Sequence, residues 1–506
     1  MLKREMNHER TPVAIQRCPW ARWTRRASAL VLTLLVSCGM SRFARAEENA
    51  GLTARDPVTT SVVWVGRVIV EQEIIVAPEA TLTISPGAEV LFRDGAGLLV
   101  HGALIAEGTA EKPIRFGAAA PDAAPGAWAG ITLTGDDDRS RISHCILTHA
   151  NGIAMGAGRH RVEHCEIREG IKGIVLHGRG TEPVLRNNYL VDLSGGGIEC
   201  LNSSAPLVED TMIVRCGPFG ISATLNAVPA VLRNTITGCE DGIVLSNTIP
   251  LLRDNILKKN RRGIVLTQVN GGHPIQGNQI LEGELGILCQ QFSSPVITGN
   301  TISGNKDGIV CFQGGRAAIE GNTIENNGTG VSCVQLADAQ VRGNVISGNK
   351  RGIYLQTSSY AEIHGNNIFG NEVQLELGDM MSADWEKRTV SKPQRGLQQQ
   401  RQARSQRTGS PPPQTDLRQD GADIRGFIDA TENWWGESAT REMEQKGPDA
   451  NITGLLDSFD APTRTYEGFV GEFALDRIRY APWAKDRIAA AGAPAPVAPP
   501  AEGARE

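Results

Sequence analysis

Aromatic side chains are scarce in this chain: of 506 residues, 8 are Trp, 5 Tyr and 11 Phe. A wide globular core built on large rings is therefore not expected. Long apolar runs are missing too. Beyond Ala27–Val36 no stretch approaches the 18 apolar residues of a spanning helix, so the remainder is not expected to cross a membrane. No Leu-x-x-Leu-x-Leu framework with a helical half is present, which excludes a leucine-rich repeat.

What the chain has instead is glycine, 57 residues of it, and a repeat. A Gly-Ile dipeptide, once Gly-Val, recurs at Gly152, Gly173, Gly197, Gly220, Gly242, Gly263, Gly286, Gly308, Gly330 and Gly352, at spacings of 21 to 24 residues. An asparagine stands eight residues before many of these glycines: Asn234, Asn255, Asn278, Asn300, Asn322 and Asn344. Apolar runs within a unit are two to five residues long and alternate, which is strand periodicity. Gly and Asn between them are suited to sharp turns, because both tolerate positive φ. Three short strands and three corners in about 22 residues predict an all-β fold, a right-handed parallel β-helix solenoid with atypical terminal coils as caps.

Stacking coils about 4.8 Å apart turns equivalent residues into ladders. Asn234 through Asn344 form one expected amide ladder. Cys216, Cys239, Asn260, Asn305, Asn327, Asn349 and Asn371 form a second, and Gln268, Gln291, Gln313 and Gln335 a third. Such ladders are expected to hold the corners.

Along the chain, residues 1–46 read as an export signal, with Arg22, Arg25 and Arg26 before the apolar run. Leu35-Val36-Ser37-Cys38 resembles a lipobox, making Cys38 a possible lipidation site; Ala44-Arg45-Ala46 offers ordinary cleavage instead. Residues 47–378 form the expected β-helix. Residues 379–423 are basic and nearly free of apolar side chains, and read as a disordered insertion. Residues 424–488, with Trp434, Trp435, Tyr480 and Trp483, are expected to plug the open end of the solenoid. Residues 489–506 are an Ala/Pro-rich tail expected to be disordered.

Cys289, Cys311 and Cys333 occupy inward positions 22 residues apart and are expected to be free core thiols. Cys216 with Cys239, and Cys145 with Cys165, are candidate disulfides between adjacent coils. His144-Cys145 and His164-Cys165 carry donors suited to zinc or copper. Adjacent residues of a strand point to opposite faces, however, so no metal site is assigned.

Asp136, Asp137 and Asp138, with Arg139 and Arg141, form the densest charged cluster. Calcium could bind such oxygens if the protein were a uronate lyase; the run also suits a polar turn. No outward acidic pair on successive coils is evident, since Glu199 faces Ser222, and no catalytic residue is assigned. Val244, Val265, Leu288, Val310 and Tyr354 follow the repeat glycine and should point outward. They make an exposed apolar stripe, the expected ligand or partner face, unless the 379–423 insertion or the C-terminal segment covers it.

The Gly-Ile-x-Leu and Asn-x-Ile coils resemble the right-handed parallel β-helix repeat family, which includes periplasmic NosD-like proteins and the carbohydrate-binding and sugar-hydrolase module. The resemblance covers about residues 62–377, and Asn433-Trp434-Trp435-Gly436 is similar to the family's closing motif. It implies the fold; its members range over lyases, hydrolases, epimerases, copper-site accessory proteins and surface proteins. The polygalacturonase signatures Asn-Thr-Asp, Gly-His-Gly and Arg-Ile-Lys are not seen. The resulting expectation is an exported protein, periplasmic or anchored through lipid, that binds a polysaccharide or a protein partner on its outer face, not nucleic acid. Two alternatives stand: an enzyme acting on acidic polysaccharide, and an accessory or scaffold protein of NosD-like type.

Overall fold

The computed structural model describes residues 51–136, 138–389 and 426–493. The expected export signal with Cys38, Asp137, most of the expected basic insertion and the tail beyond Ala493 lie outside these described residues.

Three parallel sheets run the length of the solenoid. Sheet 1 has 15 strands, from Leu52–Ala54 to Asn367–Phe369; sheet 2 has 15, from Ile74–Val76 to Leu455–Leu456; sheet 3 has 14, from Val62–Trp64 to Glu362–His364. One coil shows how the sequence builds all of them. Val296–Thr298 lies in sheet 3, Thr301–Ser303 in sheet 1 and Asp307–Phe312 in sheet 2. Ile297, Ile302, Ile309 and Cys311 point inward and are fully buried. At the first corner Gly299 has φ 62°, at the second Gly304 has φ 71°, and at the third Gln313 has φ 49°. Each corner reverses the inside–outside alternation, so the residue after the first two, Asn300 and Asn305, turns inward.

The first amide ladder forms as expected and is longer than the sequence repeat indicated. Asn300 Oδ1 accepts from the Asn278 backbone N–H at 2.9 Å and from Asn278 Nδ2 at 3.0 Å, and the pattern repeats up the stack. Asn188, Asn366 and Asn433 belong to the same column. The second ladder runs from Cys239 through Asn260 and from Gly283 through Asn305 to Asn371. The glutamine column differs. Gln268, Gln291, Gln313 and Gln335 hold the third corner at φ 49–58° but are exposed, and adjacent coils are joined there through backbone groups.

Except at Gly152, where φ is 112°, the repeat glycine owes its place to crowding rather than to a turn. At Gly286 φ is ordinary, but a Cβ would lie 2.3 Å from the Gly308 carbonyl oxygen and 2.9 Å from Ile302 Cγ2. Stacked backbones and the core side chain leave no room for a methyl group there.

The C-terminal segment closes the last coil. Leu455–Leu456 extends sheet 2, and Asn433 terminates the amide ladder. Helix α2, Gly436–Lys446, buries Ala439 and Met443 against the end, with Trp435 1% exposed. Trp434 and Tyr480 are buried as well, and Trp483 is packed against the core. Two expected boundaries shift. Residues 379–389, read as the start of a disordered insertion, include helix α1, Ala383–Thr389. Ser382 Oγ caps it, and Trp385 packs edge-on to Tyr466 and Phe469. Residues 489–493, read as tail, lie against the solenoid, and the Gly492 N–H donates to the Gly343 carbonyl at 2.7 Å.

Candidate binding face

Val244, Val265, Leu288 and Val310 are in exact register on the outer side of sheet 2, followed by Ser332 and Tyr354. The stripe is not openly exposed, contrary to the expectation. Val265 is 3% and Leu288 8% exposed, and Val244, Val310 and Tyr354 are half-buried. Ladder neighbours above and below and residues two places along the same strand shield part of each outward side chain. The candidate cover from residues 390–423 lies outside the described residues.

Accessible surface appears instead at the third corner. Beside the stripe runs a second outward row that includes Thr267, Gln290, Phe312 and Val334. Gln290 Nε2 donates to Thr267 Oγ1 at 3.0 Å. Next comes the exposed column Gln268, Gln291, Gln313 and Gln335. Phe292, exposed at 36%, and Leu336, exposed at 44%, border it. A Cβ on Gly314 would sit 2.5 Å from the Phe292 ring, so this ring lies over the next coil. Phe292 and Leu336 adopt φ 64° and 63°, positions more often held by Gly or Asn. Sequence reasoning overlooked them. Their signal was an apolar residue directly after the corner glutamine in Gln291-Phe292 and Gln335-Leu336.

Several charges on the opposite edge are paired with one another. Lys172 Nζ meets Glu199 Oε2 at 2.8 Å, and Arg262 Nη2 meets Asp241 Oδ2 at 2.6 Å. The latter pairing holds the Arg262 guanidinium above its usual range. Arg351 lies 4.4 Å over the Tyr354 ring and 3.7 Å from Glu376, and burial raises the Tyr354 hydroxyl above the usual phenol range. Glu199 pairs in register with Ser222, as read from the spacing. The face thus offers amides, hydroxyls and apolar surface with part of its charge internally compensated.

The remaining candidates do not converge on it. Asp136 and Asp138 are exposed in the turn after Gly130–Leu133, and Asp138 Oδ1 accepts from the Arg159 backbone N–H at 2.9 Å. His144 and His164 stack at 4.8 Å on the outside of the first corner. Cys145 and Cys165 point inward, and their thiols donate to backbone carbonyls. All eight described cysteines are buried thiols, and the two candidate pairs are not bridged. Burial pushes the Cys200 and Cys216 thiols up to about 12. Among the described residues no group of three or more His, Cys, Asp or Glu is placed to hold a metal ion.

Residues 233–395 match the family described as "Periplasmic copper-binding protein (NosD)", and residues 151–284 match "Right handed beta helix region". No curated protein matches significantly. Among solved structures, the periplasmic alginate epimerase AlgG aligns at 14% identity over 62% of this chain and 75% of its own, with TM-score 0.29. The Dettilon tailspike protein aligns at 15% identity over 63% of this chain and 62% of its own, with TM-score 0.23.

Proposed function

The chain is a right-handed β-helix repeat protein, NosD-like, and from that premise we propose that it is exported and binds an extended polymer, a carbohydrate, along sheet 2 and its glutamine corner. The observation that carries this reading is the column Gln268, Gln291, Gln313 and Gln335, exposed on four successive coils beside Phe292, Phe312 and Leu336. Amides donate to and accept from hydroxyls, and aromatic and aliphatic surface takes the apolar faces of sugar rings. Repetition at about 4.8 Å per coil suits a ligand that repeats as well. The ion pairs along the opposite edge, which leave few free cations there among the described residues, support a neutral ligand over an acidic one. Export rests on the basic and apolar pattern of residues 1–46 and on the word "periplasmic" in the matching family's description. Whether Cys38 carries a lipid anchor is left to mass measurement of the exported chain. Among the described residues no helix is long and apolar enough to cross a membrane.

A second reading, an accessory or scaffold protein, is favoured by the NosD match. Among the described residues no group of three or more His, Cys, Asp or Glu is placed to hold copper. The outward histidines and inward thiols at residues 144–145 and 164–165 lie on opposite sides of one wall.

The test is a depolymerisation and binding assay on residues 47–506, with acidic and neutral polysaccharides, with and without calcium. Binding without shortening supports the proposal. Shortened chains would replace it with the enzymatic alternative and direct mutagenesis to Asp136, Asp137 and Asp138. No binding across the panel would favour the scaffold reading.

A further inference from the structure

Sheet 1 carries a second accessible apolar patch. In its outer column Tyr189, Met212 and Ile256 are 38%, 45% and 37% exposed, with Thr235 between the last two. Farther along, the same column continues through Gln279, Thr301, Thr323 and Val345 to Asn367. That far end is already covered, and by this chain's own C-terminal segment.

The segment leaves the cap and turns back along the column. The Asn367 amide binds Ile488 on both sides, its Oδ1 accepting from the Ile488 N–H at 2.9 Å and its Nδ2 donating to the carbonyl at 2.8 Å. Arg487 lies 5.2 Å over the Phe369 ring. Four residues on, Gly492 donates to the Gly343 carbonyl at 2.7 Å. A Cβ on Gly492 would lie 3.0 Å from Val345 Cγ2 and 3.6 Å from Thr323 Oγ1. Between Ile488 and Gly492 the chain has moved from Asn367 toward Thr323, in the direction of the exposed patch.

The sequence that follows is Pro494-Ala495-Pro496-Val497-Ala498-Pro499-Pro500. From Thr323 the column reaches Ile256 in three coils and Met212 in five, about 14 and 24 Å at strand spacing. A polyproline II chain advances about 3.1 Å per residue, so about five residues beyond Gly492 span the distance to Ile256 and about eight the distance to Met212. Such a chain costs little entropy to dock and is recognised by apolar and aromatic surface of this kind. We propose that residues 494–500 continue the strap and cover the Ile256–Met212–Tyr189 patch of the same molecule.

Two measurements on the full exported chain test this. In the Ile256→Cys/Val497→Cys double variant, mild oxidation should give an intramolecular disulfide whose yield does not depend on protein concentration. The Gln335→Cys/Val497→Cys control, with its cysteine on the corner opposite sheet 1, should give none. Equal yields in the two variants, disulfide-linked dimers, or no bridge in either would overturn the proposal. Second, hydrogen peroxide should oxidise Met212 about threefold faster in a chain ending at Ala493 than in the full chain, because thioether oxidation follows exposure. Equal rates would overturn it without reliance on any cysteine substitution.

Discussion

Sheet 2 is built in two ways. Seven consecutive strands, from Phe219–Thr224 to Arg351–Gln356, are six residues long, whereas the six before them have three or four. The change coincides with a change at the second corner. There Ala150, Gly170 and Leu193 offer no side-chain donor, whereas Cys216 donates weakly to the Leu190 carbonyl at 3.8 Å. Asn260 makes the corresponding bond to the Ile236 carbonyl at 2.9 Å, and Asn305, Asn327, Asn349 and Asn371 repeat it. A donor at the corner fixes the chain entering sheet 2, so pairing begins at the first residue, as in Asp241 with Arg262. After Ala150, Gly170 and Leu193 pairing starts only beyond the repeat glycine, whereas Gly283, also without a donor but set between the Asn260 and Asn305 coils, is followed by a full-length strand that pairs from Leu285. The candidate glutamine column lies entirely in the long-strand region, so the most regular wall carries the most regular surface.

The comparison can be broken most severely at glycine. Gly286→Ala puts a methyl group against the Gly308 carbonyl and should cost about 4 kcal/mol. Gly156→Ala, in the short-strand region, meets nothing within 4 Å and should stay within about 0.5 kcal/mol. Denaturant midpoints of the two variants check the pair. Asn322→Ala is next. It strips the acceptor from both the backbone N–H and the Nδ2 of Asn300, and should cost about 3 kcal/mol. Thr211→Ala removes a single 3.4 Å acceptor from Asn188 and should cost about 1 kcal/mol in the same titration.

A sharpening of the comparison is Cys239→Asn, which extends the strong-donor column by one coil. It should stabilise by about 0.5–1 kcal/mol, and amide exchange at Asp241 should slow. The smallest effect concerns pH. Arg215 holds the Asp192 carboxyl below its usual range through a bidentate bond at 2.7 and 2.8 Å. The stabilisation is present above the ordinary carboxylate pKa and is lost as pH falls through the lowered value. Because both groups are well exposed, it should amount to less than about 1 kcal/mol. Asp192→Asn should remove that slope from thermal unfolding measured in acid.

The solenoid was legible because a coil must repeat every residue that stacks. Asn300, Ile302 and the Gly308-Ile309 pair keep fixed offsets from one another and recur every 21 to 24 residues, and register follows from those offsets. Less legible was why each residue recurs. The repeat glycine looked like a turn former, yet Gly286 is required by the carbonyl stacked beside it. The glutamines looked like a third amide ladder, but left-handed backbone at Gln291 and Gln313 leaves their side chains exposed. Val265 was read as outward, and is, yet it is 3% exposed, whereas Met212 in the outer column of sheet 1 is 45% exposed. Tyr189, Met212 and Ile256 were overlooked because each fills the variable place in an Asn-x-Ile-type unit, where other coils carry Thr or Gln. Only tabulating that place by column brings the three together.

The most direct test of the account is the affinity of residues 47–506 for the polysaccharides of the panel, compared with the Gln291→Ala/Phe292→Ala/Gln313→Ala variant. Their corner is exposed, so the variant should keep the parent's unfolding midpoint while losing at least about tenfold in affinity, two amides and one ring being removed from the contact. Unchanged affinity in a folded variant would contradict the assignment of the binding face to sheet 2 and its glutamine corner.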